Sequence, residues 1–195
     1  MTAFGTLEDI PQDMDVLVAG TPCVDFSSLN SYKKQDFHFD GDIGQLFKKT
    51  FPKKGDDNNG EANQASSTTK KAPKEIDQEG VQKLIPLCRE WLDGDCLPSL
   101  KTQGQSGAGF FGMLSYVKYQ RPKMVILENV CSAPWEQMTM VWFPAIDYVA
   151  KSIKVDTKNY YIPQNRTRGY LLAIDTQCTG LGEDILKVWS EQLVS

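Results

Sequence analysis

Two short apolar runs, each stopped abruptly by residues that carry chemistry, constrain this chain more than any other feature. Val16-Leu17-Val18-Ala19 stands between Asp15 and Gly20 and delivers Pro22-Cys23 into a loop running to Asn30. Met124-Val125-Ile126-Leu127 ends on Glu128-Asn129-Val130. Runs of this length, bounded by turn residues, read as strands buried on both faces, the type found in parallel sheets. Such α/β proteins keep their chemistry just beyond the carboxyl ends of the strands, so Cys23 and Glu128 are expected to face one crevice. Pro22 fixes one backbone angle beside the sulfur.

A cysteine considered alone is more often a buried small hydrophobe than a nucleophile. A third stretch changes that reading: Pro163-Gln164-Asn165-Arg166-Thr167-Arg168, which precedes the apolar run Tyr170 to Ile174. Pro22-Cys23 with Phe26-Ser27, then Glu128-Asn129-Val130, then Gln164-x-Arg166-x-Arg168 stand in the order of three blocks of the cytosine-C5 DNA methyltransferases, and the chain resembles that family. Val24 replaces the glutamine that usually follows Pro-Cys. Asp25-Phe26-Ser27-Ser28-Leu29-Asn30 and Ser132-Ala133-Pro134-Trp135 are similar to the fungal maintenance-type branch, whose members also carry an SNF2-like ATPase.

The resemblance implies an α/β fold: an incomplete Rossmann-like S-adenosylmethionine-dependent methyltransferase, with a mostly parallel sheet ending in an antiparallel hairpin. It assigns Cys23 to attack on cytosine C6, activated as a thiolate because a free thiol is only partly ionised at neutral pH. Glu128 would stabilise the charge that develops at N3, helped if burial at the strand end desolvates it. Arg168 would bond the cytosine O2, while Arg166 and Gln164 order the pocket; planar guanidinium groups suit such oxygens. Asn129 would support the strand end, and Phe26 and Ser27 the substrate loop. The base would have to be extruded from the DNA duplex.

The implied methyl donor is S-adenosylmethionine, which Pro22 would approach. The family's glycine-rich donor block is expected ahead of the Cys loop, yet only 14 residues precede Asp15. The whole chain, 1–195, is therefore expected to be part of a catalytic domain from a longer polypeptide, inactive alone, acting on DNA in the nucleus. The alternative is a methyltransferase remnant that serves as a binding or scaffold module.

Composition bounds these readings. The 195 residues are 41% hydrophobic and 24% charged, enough for one core. A net charge of -4 does not suit a freestanding electrostatic binder of nucleic acid, so DNA contact must come from local basic groups or from other sequence. The cysteines form no C-x-x-C pair and the sole histidine is His38, so neither a zinc site nor a disulfide framework is supported. A thiol hydrolase pairing Cys23 with His38 would lack an orienting group. No run approaches the length of a membrane span, and the start lacks a secretory pattern.

Elsewhere, Ser31 to Phe47 mixes lysines and phenylalanines without clear period and reads as an irregular loop. Residues 48–80, rich in Lys, Asp, Asn, Ser and Thr, cannot offset ordering entropy by burial and read as a disordered insertion. Helices are expected over Gln78–Leu92, kinked or restarted at Pro86, over Gly104–Tyr119, over Pro134–Ile153, bent or broken at Pro144, and over Gly182–Ser195. Ile153–Tyr161 and Tyr170–Ile174 read as strands of an antiparallel hairpin. Gly107-Ala108-Gly109-Phe110-Phe111-Gly112 matches the dinucleotide fingerprint, but a polar stretch precedes it where a strand should stand, so it reads as the start of a helix. Ala108 likewise rules out a nucleophile elbow at Gly104-Gln105-Ser106.

Overall fold

The computed structural model describes residues 12–27, 37, 39–52, 75–94, 104–160, 166–178 and 182–194. They build a four-stranded mixed sheet flanked by helices, an α/β architecture compatible with part of a Rossmann-like methyltransferase fold. The chain runs β1 (Val16–Gly20), α1 (Gly41–Thr50), α2 (Gln78–Asp93), α3 (Gly104–Gln120) and β2 (Met124–Asn129). A short helical segment, α4, follows as turns over Trp135–Gln137, Met138–Trp142 and Phe143–Ala145. Then come β3 (Tyr148–Asp156), a 3-10 turn (Thr157–Tyr160), β4 (Thr167–Asp175) and α5 (Gly182–Val194).

Spatial order in the sheet is β1-β2-β4-β3. β1 and β2 are parallel, Gly20 beside Glu128, whereas β4 pairs antiparallel with both β2 and β3. The expected hairpin is therefore present. Alternation along the strands gives the sheet two faces. One presents Val125, Leu127, Leu171 and Ala173 to the main core, shared with Leu84 and Cys88 of α2, Phe110, Phe111 and Leu114 of α3, and Trp142 of α4. The other presents Leu172 and Ile174 to Leu186, Ile185 and Trp189 of α5.

α5 lies over the β3–β4 half, which leaves β1 bare on that face. Val16 is 46% and Val18 71% exposed, so the expectation of a strand buried on both faces fails at β1. Among the described residues β1 has only one strand neighbour and no covering helix on that side.

Several boundaries differ from the sequence reading. The first hairpin strand, expected over Ile153–Tyr161, runs Tyr148–Asp156, with Thr157–Tyr160 in the 3-10 turn, and the second starts at Thr167 rather than Tyr170. The loop expected over 31–47 contains the start of α1, whose Ile43, Leu46, Phe47 and Thr50 follow the spacing of one helical face. Phe37 and Phe39, the residues without period, anchor it: Phe39 stacks on Phe47 and Trp142 with ring centroids 5.2 and 5.4 Å apart. The ends of the 48–80 stretch belong to α1 and α2, and its middle lies outside the described residues. The helix expected to run to Ile153 stops at Ala145, because Asp147 takes a left-handed φ of 63° and the β-branched residues that follow enter β3.

Two prolines act as chemistry demands. Pro86 lies on the exposed side of α2, where the carbonyl it leaves unpaired can reach water, and α2 passes through it as one helix. Pro144 has no N–H to donate, and the turn before it widens to a π-helix in which Phe143 N–H bonds the Met138 carbonyl.

A polar network ties the far end of the sheet. Arg121, at φ 50° after α3, pairs with the buried carboxylate of Asp175 and donates to the Ile146 carbonyl at 2.7 Å. Its guanidinium lies 4.9 Å from the Tyr148 ring centroid, and Tyr148 Oη donates to the Pro122 carbonyl at 2.7 Å. Burial among apolar groups, with Asp175 adding to it, raises the Tyr148 hydroxyl well above its ordinary pKa, so it stays a donor.

Candidate active site

The carboxyl ends of β1 and β2 lie side by side, and Asn129 joins them. Its side chain is buried; Nδ2 donates to Thr21 Oγ1 at 2.7 Å and to the Thr21 carbonyl at 3.2 Å, while Oδ1 accepts from Val130 N at 2.7 Å. A buried amide so engaged fixes where the chain leaves β1. Pro22 and Cys23 follow at once. The Cys23 carbonyl accepts from Phe26 N at 3.1 Å and Ser27 N at 2.8 Å, so the loop curls tightly after the thiol. Cys23 itself is half-buried, reachable from solvent yet held. Phe26, 1% exposed, drives the loop into the core, and its carbonyl accepts from Ser132 Oγ beyond β2.

The other side of the Cys loop rests on the start of α3. Asp25 N donates to Ser106 Oγ at 2.9 Å and Ser106 N donates to Asp25 Oδ2 at 2.7 Å, a reciprocal pair that places a carboxylate at a helix N-terminus. Gly104, at φ 72°, has no room for a side chain, since a Cβ there would lie 2.7 Å from Asp25 Oδ2. A Cβ on Gly109 would lie 2.7 Å from Pro22 Cδ. The Gly107 to Gly112 series thus lies within α3, as expected, and one of its glycines serves as the floor for Pro22.

Glu128 and Arg168 meet across the sheet. Glu128 is opposite Tyr170 in the β2–β4 register, so Arg168, two residues earlier on β4, shares its face. Arg168 Nε lies 3.1 Å from Glu128 Oε1, and Arg168 Nη1 donates to the Thr167 carbonyl at 2.9 Å. The two side chains are 29% and 37% exposed, so Glu128 is less desolvated than its strand-end position suggested. Gly20 lies directly across the β1–β2 pair from Glu128, and a Cβ there would meet Glu128 Oε2 at an ordinary contact distance of 3.8 Å.

Arg166 is exposed at the hairpin, its backbone fixed by Thr157: Arg166 N donates to Thr157 Oγ1 at 3.1 Å, and the Arg166 carbonyl accepts from Thr157 N at 3.2 Å. Gln164 lies outside the described residues, as does His38. Gly169, which sequence reading passed over, has a definite task. A Cβ there would stand 2.3 Å from Trp135 Cζ2, so only glycine lets the Trp135 ring lie against β4, where its Nε1 donates to the Val130 carbonyl at 3.1 Å. An isolated glycine inside a strand pattern is the signal that marks such a close approach. Asp25, Ser106, Thr21 and Ser132 carried no comparable signal, because each acts through a partner distant in sequence.

The glycine series that would cradle a nucleotide-like group lies within α3, with Pro22 against Gly109, so this series does not form a donor-binding turn for S-adenosylmethionine. A cleft of about 320 Å³ between α4, β3 and α5, lined in part by Pro144, Val149, Lys151 and Leu186, contains none of the candidate residues. No helix among the described residues is long and apolar enough to cross a membrane.

No protein-family model matches the chain. Curated relatives do. A DNA (cytosine-5-)-methyltransferase DMT5 from Verticillium dahliae is 36% identical over 197 aligned residues, taking in 100% of this chain and 8% of the relative. A DNA (cytosine-5-)-methyltransferase DMT5 from Cryptococcus neoformans var. grubii is 33% identical over 190 residues, 97% of this chain and 5% of the relative. The chain therefore spans less than a tenth of the length of either relative. Identity at this level along nearly the whole chain, with a Pro-Cys loop and a Glu-Asn strand end joined by one buried amide, means that this chain, over the segment it spans, belongs to the cytosine-C5 DNA methyltransferase family.

Proposed function

We propose that this chain supplies the base-attacking half of a DNA cytosine-C5 methyltransferase, as a segment of a longer nuclear polypeptide. The observation that carries the reading is that the Cys23 loop and the Glu128–Arg168 pair lie at the same end of the sheet, with Asn129 bonded across both strand ends. In this reading the Cys23 thiolate forms a bond to C6 of an extruded cytosine. The C5=C6 electron pair then moves toward C5 and, through conjugation, N3. Glu128, protonated or sharing a proton, hydrogen-bonds N3, while Arg168 turns from Glu128 to the base carbonyl O2. Loss of the C5 proton after methylation lets the thiol leave and restores the ring.

S-adenosylmethionine is the donor that the family implies, and it supplies the methyl group when bound. Pro22 is the residue of this chain proposed to approach it, and the remainder of its pocket is assigned to the longer polypeptide. On that assignment the 195 residues alone neither bind the donor tightly nor methylate DNA. Arg166 and Gln164 are proposed to order the hairpin side of the base pocket, and Phe26 and Ser27 the loop side.

A DNA duplex carrying a mechanism-trapping cytosine analogue, offered to the full-length protein, tests the assignment. Wild-type protein is expected to form a covalent adduct mapped to Cys23, and Cys23→Ser to form none. An adduct at Cys131 or Cys178 overturns the assignment. Absence of any adduct would favour a binding module descended from an enzyme.

A further inference from the structure

The β3–β4 hairpin projects past the end of the sheet where the candidate site lies. Asn129, the last residue of β2, pairs with Gly169, so Arg168 and Thr167 continue beyond it, opposite Val155 and Asp156. Lys154, opposite Gly169, stands at the base of this overhang, Lys158 lies in the turn at its tip and Arg166 bounds it, all exposed. Between Lys151 and Gly169 the sequence holds five basic residues and one acidic residue, in a chain whose net charge is -4.

Only part of this charge is neutralised locally: Arg168 is held by Glu128. Lys83, Arg89, Lys118 and Lys123 each pair with a carboxylate elsewhere on the surface. Among the described residues no ion pair engages Lys154, Lys158 or Arg166. Asp156, the one acid in this stretch of the sequence, is turned to building the hairpin: it accepts from Lys158 N at 3.1 Å and Thr167 Oγ1 at 3.2 Å. Lysines on an exposed edge strand also discourage strand-to-strand aggregation, which accounts for Lys151 and Lys154. That role does not reach Lys158 or Arg166, which lie in the turn beyond the paired residues.

We propose that the overhang is a landing surface for the phosphate backbone of DNA, with Lys154 and Lys158 as phosphate-contacting residues beside the base-accepting end. The inference deepens the methyltransferase reading and rests on it for the identity of the polyanion. It answers how an acidic chain meets a polyanion: through a small unpaired group of cations rather than through net charge.

The test is equilibrium binding of a DNA duplex to the full-length protein over a range of salt concentrations, comparing wild type with the Lys154→Gln/Lys158→Gln double variant. The slope of log K against log salt is expected to drop by about two, and affinity near 0.15 M salt to fall by roughly 10- to 30-fold. Lys83→Gln/Lys123→Gln, the same charge change on other surfaces, is expected to leave the slope unaltered. An unaltered slope in the hairpin variant overturns the proposal, and so does an equal drop in the control. If wild type forms no adduct but the slopes differ as expected, the methyltransferase reading fails and the polyanion surface stands.

Discussion

Glu128 can be tested for chemistry separately from stability because its ion pair is a weak one. With Arg168 and Glu128 side chains 29% and 37% exposed, water screens the pair, and such partly exposed pairs contribute only about 0–1 kcal/mol. Glu128→Gln keeps the shape and a hydrogen bond to Arg168, so the unfolding midpoint should move little. It cannot give a proton to N3, and methyl transfer by the full-length protein should fall by about two to four orders of magnitude. Single-turnover rates beside a thermal melt check both. A large loss of stability with an intact rate would make Glu128 a structural partner of Arg168 and nothing more. Asn129 is the contrasting case: buried, and holding Thr21 and Val130 at once, its loss would disturb fold and site together.

At the scale of one element, α3 shows why a glycine motif need not be a cofactor loop. Gly109 and Gly112 stand three residues apart in the same helix, yet alanine should act on them with opposite sign. A Cβ on Gly112 meets nothing within 4 Å, so Gly112→Ala gains helix propensity and should stabilise by up to about 1 kcal/mol. A Cβ on Gly109 would lie 2.7 Å from Pro22 Cδ, so Gly109→Ala must displace the Cys loop or the helix and should destabilise despite the same propensity gain. Denaturant melts of the two variants decide it, and a stabilised Gly109→Ala would mean that Pro22 moves aside freely. Helices α2, α3 and α5 were legible because their apolar spacing repeats over several turns. α1 was not, since its apolar face begins at Ile43 inside a stretch whose phenylalanines Phe37 and Phe39 obey no period and serve as core anchors. The turn at Ile146-Asp147 was equally hidden: apolar residues continue through it, and only the left-handed Asp147 and the β-branched residues beyond it separate helix from strand.

Across the whole molecule, the strand-end placement of Cys23, Glu128 and Arg168 was legible because each lies beside a short apolar run, whereas the clamps that hold these loops and strand ends were not. Asp25 and Ser106 are 81 residues apart, Thr21 and Asn129 108, and only the fold brings them together. The burial of β1 was misjudged for a related reason: an all-apolar run states that a strand prefers two covered faces, not that this chain supplies both covers. Val18, 71% exposed, therefore carries a prediction that separates this chain from the longer polypeptide proposed above. In the 195-residue chain Val18→Lys removes exposed apolar surface from an edge strand and adds a charge. It should lower aggregation, read by light scattering, with the unfolding midpoint within about 0.5 kcal/mol of wild type, as for ordinary surface substitutions. In the full-length protein another segment is expected to cover that face. A buried valine is worth roughly 1.5–3 kcal/mol, so the same substitution should destabilise by at least that amount. Equal, near-zero effects in both contexts would mean that β1 is a true edge in the complete protein, and that the donor pocket is not completed by packing against it.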